Sequence, residues 1–305
     1  MNKIIRIGTR DSALALWQAY TVEKKLNDFG YQTEIVAVKS AGDIILDKPL
    51  YELGITGIFT KTLDVAMING QVDIAVHSMK DVPTALPKGI VQAAVLERAS
   101  ERDILVHKGN LDFLHESATI ATGSLRRQAQ WLNRYPHHNV VDLRGNVITR
   151  LQKLNDNDWS GAVFAEAGLD RLNLKPENYI ALDWMIPAPA QGAMVVVAMH
   201  NDIFCREALS ELNYFETEIC TLIERDFLKT LEGGCTAPIG AIATIIENQI
   251  RFEGILCSLD GKEKIHIEKT AIIDHYKSFG KECAEEILKN GGEAVMEKIR
   301  KDLKK

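Results

Sequence analysis

Short apolar runs alternate with stretches of helical spacing through the first two thirds of the chain. Lys3–Ile7 predicts a strand ending at Gly8. Ser12–Phe29 follows as a helix, because Ala15, Ala19, Val22, Leu26 and Phe29 recur at steps of three and four. Asp11 or Ser12 can cap its start, and Gly30 stands where a left-handed C-terminal glycine belongs. Thr33–Lys39 predicts a strand, Ile58–Ile68 a helix closing on Asn69-Gly70, and Val72–Val76 a strand that runs into His77-Ser78-Met79-Lys80-Asp81-Val82-Pro83. The rhythm then repeats. Asp103–His107, Ala118–Ala121, Asn139–Leu143 and Ala162–Ala165 read as strands, with helices over Leu125–Leu132 and from Arg144-Gly145-Asn146 through Leu154. Strand–helix alternation predicts an α/β fold of mainly parallel sheets covered on both faces.

The pattern changes after the proline-rich Ile186–Gly192. The apolar run Ala193–Met199 is expected to return to the first sheet. Glu211–Leu231 reads as one long helix ending at Glu232-Gly233-Gly234-Cys235. Strands at Ile239–Ile246, Gln249–Leu256 and Lys264–Ile272, separated by Asn248 and Asp260-Gly261, and a helix at Ser278–Leu288 predict a small α+β domain.

Composition narrows the function classes. The 305 residues are 46% apolar and carry a net charge of −6, which disfavours a general nucleic-acid binder. No apolar run approaches the length of a membrane span, and the N-terminus lacks a secretory pattern, so the chain reads as cytoplasmic. Five cysteines without a CxxC pair suggest neither a disulfide framework nor a zinc site, and the histidines show no metal spacing. Neither GxxxxGK[ST] nor GxGxxG occurs.

Candidate chemistry collects where strands end. Ligands of open α/β sheets bind outside the carboxyl ends of strands. Arg10, His77–Asp81, Thr122-Gly123-Ser124 and Arg144-Gly145 all follow predicted strands. Ser12 and Ser124 open helices, whose unpaired N–H groups favour anions, and Arg10, Arg126 and Arg127 stand beside them. Two readings fit these arginines, an anion-holding cleft and a solvated face. Asp81 reads either as a turn carboxylate paired with Lys80 or as the stabiliser of a cation in a partly dry cleft. Cys235 follows two glycines and is a better nucleophile candidate than Cys220 or Cys257, although a lone cysteine is commonly an inert buried thiol. His77 can orient the cleft loop or simply pack.

The strings IGTRDSALALWQA (Ile7–Ala19), DIAVHSMKDVPTALP (Asp73–Pro87), ATGSLRRQAQ (Ala121–Gln130), DLRGNVITRL (Asp142–Leu151), AGLDRL (Ala167–Leu172), PAPAQGA (Pro187–Ala193) and LEGGCTAPIG (Leu231–Gly240) resemble the hydroxymethylbilane synthase (porphobilinogen deaminase) family. The resemblance implies two lobes similar to periplasmic binding proteins, at 1–98 (completed by 190–210) and 99–189, with a cofactor-attachment domain at 211–305. It implies a dipyrromethane primer bound as a thioether to Cys235. Porphobilinogen is then the substrate, and four units are added with loss of ammonia before hydrolysis releases the product. Asp81 and Lys80 are the implied catalytic residues. With Ser124, Arg126, Arg127, Arg144 and Gly145 they are also the implied primer contacts. Arg10, Ser12, Gln18, Arg144, Arg150 and Arg171 are the implied substrate binders. No metal, nucleic acid or membrane partner is implied, and a monomer is expected. Ala41, Glu52, Thr56 and Ala190 depart from the family pattern, and residues 50–59 are expected to form a flap. Two other readings are a non-catalytic anion binder on the same two-lobed architecture and a relative that loads primer but elongates slowly.

Overall fold

The structure, a computed structural model, describes residues 3–39, 57, 59–231 and 237–303. These fall in two compact units, one within Met1–Leu46, Ile55–Ala99 and Gly192–Glu218, the other within Asp47–Gly54, Ser100–Gln191 and Ile219–Lys305.

Counting strands along the whole chain, the first unit holds β1 (Ile4–Arg10), β2 (Gln32–Val38), β3 (Ile74–Ser78), β4 (Ile90–Val95) and β10 (Met194–Met199), in the order β2-β1-β3-β10-β4. β1 pairs in parallel with β2 and β3, while β10 lies antiparallel between β3 and β4. Four strands therefore run one way and β10 runs against them. The return of 193–199 to the first sheet was legible. β4 was not, because its short run follows Pro87-Lys88-Gly89 without clear alternation.

Helix α1 (Ala13–Asp28) begins at Ser12, whose Oγ accepts the Ala15 amide at 3.4 Å, and ends before Gly30 at φ +85°. Its Ala19, Val22 and Leu26 pack on Ile5, Ile7, Ile74, Val76 and Val196. Helix α2 (Lys61–Ile68) covers the other face of β1. A Cβ at Gly8 would stand 3.1 Å from Leu63, so glycine permits this close approach.

The second unit contains β5 (Asp103–His107), β6 (Thr119–Ala121), β7 (Asn139–Val141), β8 (Gly161–Ala165) and β9 (Tyr179–Ala181), ordered β7-β6-β8-β5-β9. Again four strands share a direction and one, β5, opposes them. Ile104 and Val106 enter one core while Leu105 enters another, so β5 is buried on both faces. Helices α3 (Leu125–Arg134), α4 (Val147–Asp156) and α5 (Glu166–Arg171) follow β6, β7 and β8.

Glu211–Leu231 is not one helix. α6 (Ile203–Ser210) ends just before it, residues 211–214 form a turn, and α7 (Phe215–Thr230) follows. Asn213 causes the break: its Oδ1 accepts the Val95 amide at 2.8 Å and its Nδ2 donates to Glu218 at 2.7 Å. From Ile219 onward α7 packs on an antiparallel meander of β11 (Ile239–Ile246), β12 (Gln249–Cys257) and β13 (Lys264–Ile272). Helices α8 (Tyr276–Ile287) and α9 (Glu293–Asp302) complete this layer. α7 and α8 approach so closely that a Cβ at Gly280 would lie 2.1 Å from the Ile223 carbonyl. Among the described residues no helix is long and apolar enough to cross a membrane.

Candidate functional site

In the first unit, β1 and β3 run parallel and deliver their carboxyl ends to one edge. Thr9 is buried there, and its Oγ1 donates to the Ala15 carbonyl at 2.9 Å, tying the strand end to α1. Gln18 Nε2 donates to Ser78 Oγ at 2.8 Å, linking α1 to the end of β3. The chain then makes a 3₁₀ turn over Met79–Asp81, anchored by buried Met79, whose amide donates to the Ala193 carbonyl at 3.0 Å. A pocket forms between these ends, lined by Arg10, Ser12, Gln18, Phe59, His77 and Asp81 among others. The Arg10 guanidinium stands 4.4 Å from the Phe59 ring centroid, which steers the cation without neutralising it. His77 is buried, and its Nε2 finds no hydrogen-bond partner among the described residues. Burial, and then the Arg10 charge, push its imidazole down to about 4, so it is neutral at pH 7. Arg10, Ser12, Gln18 and Asp81 thus share one pocket that offers both a cation and a carboxylate. Lys80 is half-buried in the same turn as Asp81.

In the second unit, the parallel strands β7, β6 and β8 open toward one edge. Ser124 caps α3 there, accepting the Arg127 amide at 3.5 Å. A Cβ at Gly123 would sit 2.6 Å from the Leu143 carbonyl, so glycine lets the β6 and β7 ends converge and places Ser124 beside the residues leading to Arg144. Arg144 is buried. Gly145 takes φ +113°, and its carbonyl accepts Arg150 Nε at 2.7 Å. Arg171 closes α5, and burial pushes its guanidinium down to about 10.

Arg126 and Arg127 are buried and share the buried carboxylate of Asp103. Arg127 donates Nε and Nη2 to Asp103 Oδ1 at 3.0 and 2.7 Å, and Nη1 to the Val163 carbonyl at 3.0 Å. Arg126 Nη1 stands 2.7 Å from Asp103 Oδ2 and donates to the Ile186 carbonyl at 2.7 Å. Gln191 Nε2 donates to Asp103 Oδ1 at 2.8 Å. Burial disfavours the Asp103 carboxylate, but the two guanidiniums outweigh it and hold the group ionised far below the usual range.

Sequence reasoning named both arginines and missed Asp103, Gln191 and Phe59. Asp103 looks like the polar start of an apolar strand, and nothing in its spacing connects it to the arginines. Cys235 and most of the 50–59 segment, with Ala41, Glu52 and Thr56, lie outside the described residues. The other four cysteines are buried thiols. Burial pushes Cys205 and Cys283 up to about 12 and Cys257 to about 11. Among the described residues no group of three metal-ligating side chains occurs.

Residues 5–207 match the family model described as porphobilinogen deaminase, dipyromethane cofactor binding domain, and residues 218–289 match porphobilinogen deaminase, C-terminal domain. The chain is 40% identical to a porphobilinogen deaminase of Carboxydothermus hydrogenoformans and 41% identical to one of Desulfitobacterium hafniense, over 99% of both chains in each case. It is 41% identical to that of Campylobacter curvus over 97% of both. Among solved structures, an ancestral cationic amino acid solute binding protein is similar at 14% identity and a TM-score of 0.44, covering 68% of this chain and 87% of that one. The match of both family models in order, with full-length relatives near 40% identity, shows that the chain belongs to the porphobilinogen deaminase family.

Proposed function

We propose that this chain is a transferase of the hydroxymethylbilane synthase type. It joins four porphobilinogen units head to tail on a dipyrromethane primer bound through Cys235, then releases hydroxymethylbilane by hydrolysis. The observation that carries the reading is the pocket at the ends of β1 and β3, where Arg10, Ser12 and Gln18 meet Asp81. A pyrrole with acetate and propionate arms and an aminomethyl group needs cations for its arms. It also needs one carboxylate for the positive charge left when ammonia departs.

The chemistry divides among the chain's own groups. The aminomethyl C–N bond breaks, ammonia leaves, a C–C bond forms to the free carbon of the growing chain, and that carbon gives up its proton. Asp81 accepts pyrrole N–H hydrogen bonds and stabilises the developing cation electrostatically. Lys80, in the same turn, is the second proposed catalytic residue. Arg10, Ser12, Gln18, Arg144, Arg150 and Arg171 hold substrate carboxylates, since a guanidinium pairs with a carboxylate through two hydrogen bonds.

The bound primer supplies a nucleophilic pyrrole carbon. Ser124, Arg126, Arg127, Arg144 and Gly145, with Lys80 and Asp81, are proposed to hold it. The donor set fits a polyanion, because Arg126 and Arg127 face a single carboxylate and Arg126 Nε is buried without a hydrogen-bond partner among the described residues. Cys235 is proposed as the attachment point, supported by the burial that keeps Cys205, Cys257 and Cys283 protonated.

The working form is proposed to be a cytoplasmic monomer of three domains, 1–98 with 190–210, 99–189 and 211–305. An intact mass of natively expressed protein tests the assignment. The chain should carry a dipyrrole adduct, and Cys235→Ser should remove it. A bare mass in active wild-type protein, or an adduct persisting in Cys235→Ser, overturns the attachment. Ammonia release from porphobilinogen separates the transferase from a non-catalytic anion binder. A rise in turnover on restoring lysine at Glu52 and Thr56 would identify a slowly elongating relative.

A further inference from the structure

Adjacent arginines in the first turn of α3 repel each other, and burying both is costly unless opposite charge lies within reach. Arg126 and Arg127 are both buried, and each stands 2.7 Å from Asp103. Burial lowers the proton affinity of Arg126, and among the described residues Asp103 favours its ionised form while Arg127 opposes it. Among the described residues, two cations thus share one anion in a dry setting. Arg127 has its Nε, Nη1 and Nη2 committed to Asp103 and Val163, whereas Arg126 Nε donates to nothing among the described residues. Gln191 adds a neutral hydrogen bond to the same carboxylate, which orients Asp103 without changing the charge count.

We infer that Asp103 sets the charge of the Arg126–Arg127 pair, offsetting one of the two cations and leaving the cluster one negative charge short, so that a carboxylate of the bound pyrrole chain completes it. This rests on the proposed function and extends it to a residue that sequence reasoning did not reach. A second aspartate in place of Gln191 would balance the cluster internally and leave the ligand nothing to complete.

The readout is the difference in melting temperature between primed protein and the same chain carrying Cys235→Ser, which has no attachment point. This gap measures how much the bound polyanion stabilises the fold. It is taken in wild type, Asp103→Asn, Arg127→Gln and the Asp103→Asn/Arg127→Gln double variant. The cluster then carries, in turn, one, two, zero and one uncompensated positive charge. The gap should be widest in Asp103→Asn, narrowest in Arg127→Gln, and close to wild type in the double variant.

The decisive comparison is the double variant against Arg127→Gln. If Arg127 served merely as a direct contact, removing Asp103 as well would not restore the gap. Equal gaps in those two variants overturn the inference, and so does a gap in Asp103→Asn no wider than in wild type. Should Asp103→Asn fail to fold alone, the Arg127→Gln and double variants still decide. Gln191→Leu keeps the charges and should leave the gap unchanged; a changed gap there would assign the effect to packing and overturn the inference. Failure of the underlying reading looks different, because wild type itself would then carry no adduct and release no ammonia.

Discussion

Glu224 Oε2 accepts the amide of Ala190 at 2.6 Å, and Oε1 of the same side chain accepts the amide of Ala243 at 2.8 Å. A fully buried carboxylate on α7 thereby fastens the proline-rich segment to β11. Ala190 is held at φ +61°, in the left-handed region, and its neighbour Gln191 reaches Asp103. Glu224→Ala would orphan two buried amides. It should cost on the order of 2–5 kcal/mol, read from urea unfolding.

Ala190→Gly is the complementary change. An L-residue in the left-handed region costs about 1–2 kcal/mol, part of which returns as the greater chain entropy of unfolded glycine. The substitution should raise stability by about 0.5–1 kcal/mol in the same urea assay. A loss of stability would show that Ala190 sits without strain.

Asp81→Asn should leave the Cys235 adduct largely in place and stop elongation. A charge pair at ~4 Å and an effective dielectric of ~20 is worth about 4 kcal/mol. The expected loss in kcat is therefore on the order of a thousandfold. Intact mass and single-turnover kinetics read the two effects separately. Full turnover in the variant would remove Asp81 from the chemistry.

Gly123 tests how the second unit's strand ends are spaced. Gly123→Ala places a Cβ 2.6 Å from the Leu143 carbonyl, so backbone has to move, at a cost of about 1–3 kcal/mol. Elongation should slow with it, since Ser124 and the approach to Arg144 shift together. Gly30→Ala is the control. Its Cβ meets nothing within 4 Å, so only the strain of φ +85° is added, and turnover should hold.

His77 gives a pH dependence. Its folded value, about 4, lies below the ordinary 6.5, so the folded chain binds the proton less readily than the unfolded one. Its contribution to stability is complete above about pH 6.5 and is lost as pH falls toward 4. The loss amounts to ~3 kcal/mol at most. Urea midpoints for wild type should drop across that range, and His77→Gln should flatten the part of the slope that belongs to this group.

Much of this was legible in the sequence because it was local. Arg10 and Asp81 follow strands and Ser12 opens a helix, Gln18 was named only through the family resemblance, and the first unit gathers all four in one pocket. The late return of 193–199 was expected from its apolar run, and β10 takes that place in the first sheet. What escaped notice depends on distant partners. α7 starts at Phe215 because Asn213 and the Tyr214 amide dock on Val95, in a strand that the pattern concealed. Asp103 acquires its role from Arg126, Arg127 and Gln191, which reach it only after β5 is laid beside β8.

The reversed strand β10 also sets an order of assembly. Among the described residues β4 pairs with β10 and with no other strand, and β10 is threaded between β3 and β4. During synthesis the first sheet therefore waits, with β4 unattached, until the chain has passed Met199. By then every strand of the second sheet has already left the ribosome. The amino-terminal unit, first to be made, is the later of these two sheets to close, and a chain halted before Met194 would leave the apolar flank of β3 open to any passing strand.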